Sequence, residues 1–374
     1  MPTYTIGTGK TYATIQDGVD AIPDNLSGGG VQTVEVYENA SWDSVKCYYD
    51  ESPDAKSGFS GFSSTDYVRI VAMKPNNGQR DTGIVVRFPV SLVANYGFQQ
   101  CGYTRVEGFG VTPAAAVTGS KYLIGFDNYT VAPYTDGTWV VGCVIYDFDG
   151  EYYNYGIRIF QGNNASCWAV NNFIMNSDTN KGGFNAAVGI YTAFGTLDAA
   201  RAKVYNNSIV NMHGYRNSSG SVGTCGIMVN SGFADWRNNV NGKNTGVTDF
   251  YKYGTCDILN YNNISQGTTA TSYGTPKTGC LDNQDPDTDV KFTSTVIGSE
   301  DLHLQDVDSV AYGAGLAVVE VSTDIDGQIR VDPPCVGADE VFPSGVFHCG
   351  NRFGYPNAGK RWAKPKSKIW RTDL

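Results

Sequence analysis

Four stretches of the chain share one design: Trp168-Ala-Val-Asn171-Asn172-Phe-Ile-Met, Lys203-Val-Tyr-Asn206-Asn207-Ser-Ile-Val, Asp235-Trp-Arg-Asn238-Asn239-Val and Leu259-Asn-Tyr-Asn262-Asn263-Ile-Ser. Each is a short β-branched or aromatic run, then an asparagine pair, then apolar residues again. Between them a second unit returns as Gly156-Ile157-Arg-Ile, Gly189-Ile190-Tyr-Thr and Gly226-Ile227-Met-Val. A unit recurring every few tens of residues signals a solenoid, in which each repeat buries its apolar face only by stacking on the next. The repeats are rich in Val, Ile, Tyr and Phe and bounded by Gly, Asn, Asp and Ser, which is strand chemistry. No helix-period stretch separates them, so the parallel strands have no crossover helices and the chain must coil on itself.

Asparagine suits the corners of such a coil because it tolerates left-handed backbone and hydrogen-bonds locally. Rungs spaced about 4.8 Å apart put each amide over the next. The eight residues Asn171, Asn172, Asn206, Asn207, Asn238, Asn239, Asn262 and Asn263 are therefore read as a structural ladder without chemistry. Tyr103-Thr-Arg-Val-Glu-Gly-Phe and Trp139-Val-Val-Gly-Cys-Val-Ile fit the same slot, with Gly at the corner. Ala13 to Ile22 carries Ile15, Val19 and Ile22 on one helical face and stops at Pro23, as expected of a short helix plugging the first coil.

The opening Tyr4-Thr-Ile-Gly-Thr-Gly-Lys-Thr-Tyr-Ala-Thr-Ile-Gln-Asp-Gly-Val-Asp-Ala-Ile22 resembles that of right-handed β-helix proteins of the pectin-lyase-like superfamily. The closing stretch resembles theirs too: Asp301-Leu-His-Leu-Gln305, Gly313-Ala-Gly315, Thr323-Asp-Ile-Asp-Gly327 and Val336-Gly-Ala-Asp-Glu340. Similar closing rungs occur in uncharacterised β-helix proteins of bacteria and phages. The resemblance implies an all-β, single-stranded right-handed parallel β-helix. Its expected parts are a strand and capping helix over 1–30, rungs over 31–290, closing rungs over 291–345 and a basic tail over 346–374. One fold of this kind hosts many activities, so it does not assign one.

Only 17% of the 374 residues are charged, against 45 Gly and 24 Tyr, the balance of an exposed β-rich surface. No apolar run approaches the ~20 residues of a membrane span, and residues 1–20 lack the basic start and apolar core of a signal peptide. The nine cysteines form no CxxC pair, which argues against a zinc site and for small buried thiols in a reducing compartment.

The end of the chain differs in character. Arg352, Lys360, Arg361, Lys364, Lys366, Lys368 and Arg371 stand against one acid, Asp373, interleaved with Phe353, Tyr355, Trp362 and Trp370. With the whole chain at −10, the remainder carries −16. Solubilising tails are poor in aromatics, so this one is expected to anchor the protein on an acidic partner. A body this acidic would be repelled by phosphate, so nucleic acid is not expected.

Chemistry is sparse. Gly7-Thr-Gly-Lys10-Thr11 lacks the first glycine of a phosphate loop, the position being Tyr4. Polygalacturonase-like members of the resembled superfamily carry Gly-His-Gly and Asp-Asp motifs, and this chain has neither. Asp147, Asp149 and Glu151 alternate in a turn before Tyr152, Tyr153 and Tyr155, read first as a solvated acidic loop and otherwise as a calcium loop or glycosidase pair with tyrosines to stack on sugar rings. Catalysis requires that they and Arg158 converge on one cleft. Asp282, Asp285, Asp287 and Asp289 lack calcium-loop spacing. Asp324 and Asp326 read as turn caps, and His303, between Leu302 and Leu304, as structural. No metal and no cofactor are expected.

The reading that follows is a structural component of a virus particle: a surface, decoration or fibre-like protein of a tailed phage, assembled in the host cytoplasm. It is expected to be homo-oligomeric, joined to other virion proteins by its tail, without a membrane partner, and able to adhere to host-surface glycans. The alternative is a polysaccharide lyase or glycoside hydrolase working in a groove of the β-helix.

Overall fold

The structure, a computed structural model, describes residues 2–38, 40–41, 45–47, 63–88, 94–100, 103–114, 122–128, 137–150, 153–160, 166–178, 186–193, 200–214, 224–244 and 248–342. The basic tail at 346–374 lies outside them.

Among the described residues, three parallel sheets of ten, eight and seven strands run along the coil. The chain visits them in turn. One coil takes Trp139–Val141 in the first sheet, Val144–Asp149 in the second and Tyr153–Phe160 in the third. The next takes Trp168–Val170, Phe173–Asp178 and Ala186–Ala193. Each strand pairs in register with its counterpart one coil away, as in Trp139 beside Trp168, Val144 beside Phe173 and Tyr153 beside Ala186. The chain is a parallel β-helix.

The interior is built of columns. Val34, Ile70, Val106, Val140, Ala169, Val204 and Trp236 line the inside of the first sheet, all but sealed from solvent. Phe98, Phe126, Ile157, Ile190, Ile227 and Phe250 line the third, and the rings of Phe98 and Phe126 stack at 5.1 Å. Alternating residues face outward, as strand geometry requires. The returning Gly-Ile unit belongs to the third sheet. A Cβ on Gly97, Gly125, Gly156 or Gly189 would lie 2.6–2.7 Å from the carbonyl oxygen of the glycine one coil on, so only glycine fits this column.

The N-terminal helix spans Ile15–Asp20, shorter than the 13–22 read from the sequence. Thr14 caps it: its hydroxyl accepts from the Asp17 N–H, and the Asp17 carboxylate accepts from the Thr14 N–H, each at 3.1 Å. Ile15, Val19 and Ile22 all enter the core.

Residues 291–342, expected as closing rungs, add no strand to the three parallel sheets. Phe292–Ser294 and Asp301–Leu304 form a separate antiparallel pair. The remainder runs outside the coil along the asparagine corner.

Candidate functional site

The paired asparagines turn the corner between the first and second sheets, and the two members of each pair face opposite ways. Asn171, Asn206, Asn238 and Asn262 adopt left-handed backbone, with φ between 52 and 55°. Gly142 and Gly108 hold that place in the preceding coils, also at positive φ. Their side chains reach the closing segment. Asn262 donates to Ala314 O (2.7 Å), Asn238 to Leu316 O (2.8 Å), Asn206 to Gly337 O (3.4 Å) and Asn171 to Thr323 O (2.5 Å). The second members, Asn172, Asn207, Asn239 and Asn263, are fully buried. Each Nδ2 of the first three donates to the next Oδ1 at 2.9 Å. The same oxygens accept the backbone N–H of the preceding coil: Asn172 N donates to Asn207 Oδ1, Asn207 N to Asn239 Oδ1 and Asn239 N to Asn263 Oδ1. The ladder thus satisfies backbone donors at the corner, where no carbonyl takes them.

Asp147 stands on the second sheet at φ 59°, in a left-handed column with Asn176, Asn211 and Lys243. Its carboxylate accepts from Asn176 and pairs with Arg80, whose guanidinium also pairs with the buried Glu300. Burial pushes the Asp147 carboxyl up, and the Asn176 hydrogen bond and Arg80 charge only partly offset it. Asn211 donates to Thr295 O at 2.8 Å, so this group clamps the closing segment to the second sheet. Arg158 lies elsewhere, on the third sheet, in a bidentate pair with Asp127 at 2.9 and 2.7 Å. Asp147 and Arg158 therefore do not share a cleft. Asp149 ends the strand Val144–Asp149, and Glu151 lies outside the described residues. So do the anchoring candidates Arg352, Lys360, Arg361, Trp362, Lys364, Lys366, Lys368, Trp370 and Arg371.

A different constellation lies on the outer face of the first sheet. Three residues before the corner, register aligns Arg105, Trp139, Trp168 and Lys203 on successive coils. The indoles stack at 4.2 Å and 10°. The Arg105 guanidinium covers the outer face of Trp139 (5.1 Å), and the Lys203 ammonium that of Trp168 (3.9 Å). Two cations thus close a stack of two rings, each contact favourable through the ring quadrupole. Burial lowers the Lys203 pKa. Beside the stack is a cavity of about 340 Å³, bordered by Tyr67, Tyr103, Arg105, Trp139, Ser166 and Trp168. That volume is at the small end of ligand pockets. Because the ring faces are covered, the cavity meets indole edges, which are electropositive, together with hydroxyl groups and the Arg105 guanidinium, which shares the Glu107 carboxylate with Arg69 so that this group keeps one net positive charge. This lining suits a hydroxylated, anionic guest.

The aligned repeats did hold a signal for this column, since Arg105, Trp139, Trp168 and Lys203 occupy one slot of the pattern. The cavity itself depends on Tyr67 and Ser166, which no repeat marks.

No family model matches the sequence, and no curated protein matches it. Among solved structures, the chain is similar to two crystal structures of the pectin methylesterase from Aspergillus niger, in penultimately deglycosylated and deglycosylated form. Each is 14% identical and covers 70% of this chain and 84% of that chain, with TM-scores of 0.38 and 0.36. The assignment as a parallel β-helix rests on the register of the chain's own sheets.

Proposed function

We propose that this chain is an adhesive structural component of a virus particle, a tailed-phage surface, decoration or fibre-like protein that holds acidic host glycans in the cavity beside Trp139 and Trp168. In this reading it is a right-handed member of the pectin-lyase-like superfamily, and the helix Ile15–Asp20 caps its first coil. The observation that carries adhesion is the cavity: hydroxyls, a guanidinium and indole edges, backed by a stack that cannot shift because cations close both ends. Ladders inside and a clamped segment outside make the coil a rigid presenter, which lowers the cost of ordering on binding. Residues 346–374, basic and aromatic, supply the anchor to an acidic neighbour in the particle.

Two measurements test the reading. Ser166→Trp fills the cavity from its rim, so binding to immobilised uronic- or sialic-acid glycans falls at least about tenfold while thermal stability holds. Equal retention of the variant and the wild type, or no retention of either, refutes adhesion at this site. Native protein from its source material, followed through a sucrose gradient, sediments with particles of megadalton size. Migration as a small free species refutes the particle assignment.

A further inference from the structure

The closing segment brings together a group of side chains that the adhesive reading does not use. His303 lies in the strand Asp301–Leu304. Its Nδ1 is engaged by the Asp301 carboxylate. Its Nε2 faces the Asp326 carboxylate, with both oxygens at 3.4 Å. Asp339 completes the group: ligand atoms of His303, Asp326 and Asp339 all lie within 4.8 Å of one another. The ring is held from two further sides. Phe173 meets it edge-on at 5.3 Å, and a Cβ on Gly78 would strike its Cε1 at 2.5 Å.

From this arrangement we infer a divalent transition-metal site, of the Zn2+ class, formed by His303 Nε2, Asp326 and Asp339. Three observations argue for it. First, an imidazole whose Nδ1 is bonded to a carboxylate while Nε2 points at further ligands is the arrangement that fixes tautomer and ring orientation in histidine–metal sites. Second, ligands about 2.0–2.1 Å from a tetrahedral ion sit about 3.3–3.4 Å apart, which is the spacing of His303 Nε2 and Asp326. Third, Asp324, in the same turn as Asp326 and only 3% exposed, uses Oδ1 to accept from Asp326 N and Gln328 N, but its Oδ2 is buried without a partner. An orphaned carboxylate oxygen in the turn that carries Asp326 is costly, and a cation held by that turn lowers the cost through its charge. Three carboxylates, those of Asp301, Asp326 and Asp339, surround one imidazole, and the nearby Arg330 is committed to Glu340. A mixed nitrogen and oxygen set favours zinc or manganese over calcium or magnesium, which prefer oxygen alone. Bound there, the ion ties the strand at 301–304, the turn at 324–328 and the Asp339 region into one unit against the second sheet.

The test uses the full chain, stripped with chelator and titrated with Zn2+ in a calorimeter, with thermal melts alongside. One equivalent binds and the melting temperature rises with metal. His303→Gln and Asp326→Asn abolish that equivalent. Asp301→Asn, which can still bond the ring, weakens it about 10–100-fold. Cys280→Ser, which removes a partly exposed thiol elsewhere, changes nothing. The site is refuted if the folded wild type takes up no Zn2+, if His303→Gln and Asp326→Asn both retain the equivalent, or if Ca2+ but not Zn2+ raises the melting temperature.

Discussion

Replacing Asn207 by alanine removes the centre of the inner ladder. Its Oδ1 accepts from both the backbone N–H of Asn172 (3.0 Å) and the Nδ2 of Asn172 (2.9 Å). Its Nδ2 donates to Ala169 O, Tyr205 O and Asn239 Oδ1 at 2.9–3.1 Å. All of this is sealed from solvent. Two of the losses are softened: Asn172 Nδ2 keeps Val140 O, and Asn239 Oδ1 keeps the N–H of residue 207. The Asn172 N–H is left with nothing in its place. An orphaned buried donor costs about 1–3 kcal/mol, and the deleted amide leaves a void whose lining loses contacts, so about 3–5 kcal/mol in total is expected. Against a typical total of about 5–15 kcal/mol, that is a large fraction. The adjacent Asn206 is the internal control. It makes two long bonds, donating to Gly337 O and accepting from Asn238 Nδ2, each at 3.4 Å, and sits at φ 54°, a conformation glycine adopts freely. Asn206→Gly is therefore expected to cost under about 1 kcal/mol, and Asn206→Ala about 1–2 kcal/mol from backbone strain. Urea unfolding followed by tryptophan fluorescence and far-UV circular dichroism measures all three. Asn207→Ala within 1 kcal/mol of wild type, or no milder a loss in Asn206→Gly, would show that the ladder fills space without carrying the corner.

Gly189→Ala puts a methyl 2.7 Å from both Gly226 O and Ile209 Cγ2, and neither the backbone nor the packed core can yield. A loss of about 2–3 kcal/mol is expected, and an unchanged thermal midpoint refutes the close-packed glycine column. The acid limb of stability should carry a contribution from Glu107. Burial alone would raise its carboxyl, but the Arg69 hydrogen bonds and the charges of Arg105 and Arg69 outweigh that and hold it below its ordinary 4.5. The folded state therefore favours the ionised form. Its stabilisation is complete above the unfolded value and is lost as pH falls through the folded one. Glu107→Gln should cost about 1–3 kcal/mol at neutral pH and flatten the decline of the melting temperature below about pH 4.5, and a wild-type slope in the variant's acid limb refutes the linkage.

What the sequence disclosed follows the range of the interactions. The asparagine and glycine columns repeat, and repetition is visible without coordinates. The strand slots and corners could be read from Trp168–Asn172 and its counterparts because one coil's solution is copied into the next. The partners of the outward asparagines could not be read. Asn238 meets Leu316 and Asn171 meets Thr323, separations of 78 and 152 residues set by how the closing segment lies on the coil. The acid at Asp147 looked like surface chemistry because its neighbours in sequence are acids and tyrosines. Its partner Arg80 comes from a loop 67 residues away, and Glu300 from the closing segment. His303, Asp326 and Asp339 likewise have no local spacing to mark them. They meet only because the antiparallel pair at 292–304 and the turn at 324–328 fold onto the same side.

A solenoid in which each coil touched only its neighbours would fray from its ends, since its stability would be a sum of nearest-neighbour contributions. This chain departs from that limit at one edge. The closing segment bonds in sequence to the corners at 262, 238 and 171, then turns back through Arg330, which donates to Asn171 Oδ1 at 3.0 Å, to meet Asn206 at Gly337. Four coils are thereby fastened to one strap, and the Arg80–Asp147–Glu300 group fastens its other part to the second sheet. Opening any one of these coils requires either breaking its strap bonds or lifting the strap from all four. That couples coils which the inner ladder alone would leave to open singly, and it places the cavity at Trp139 and Trp168 next to the part of the rod least free to breathe. Val318 and Val321 pack directly on the stack's flank at Trp168, Val170 and Tyr205, so the strap that closes the coil also holds the aromatic column in place.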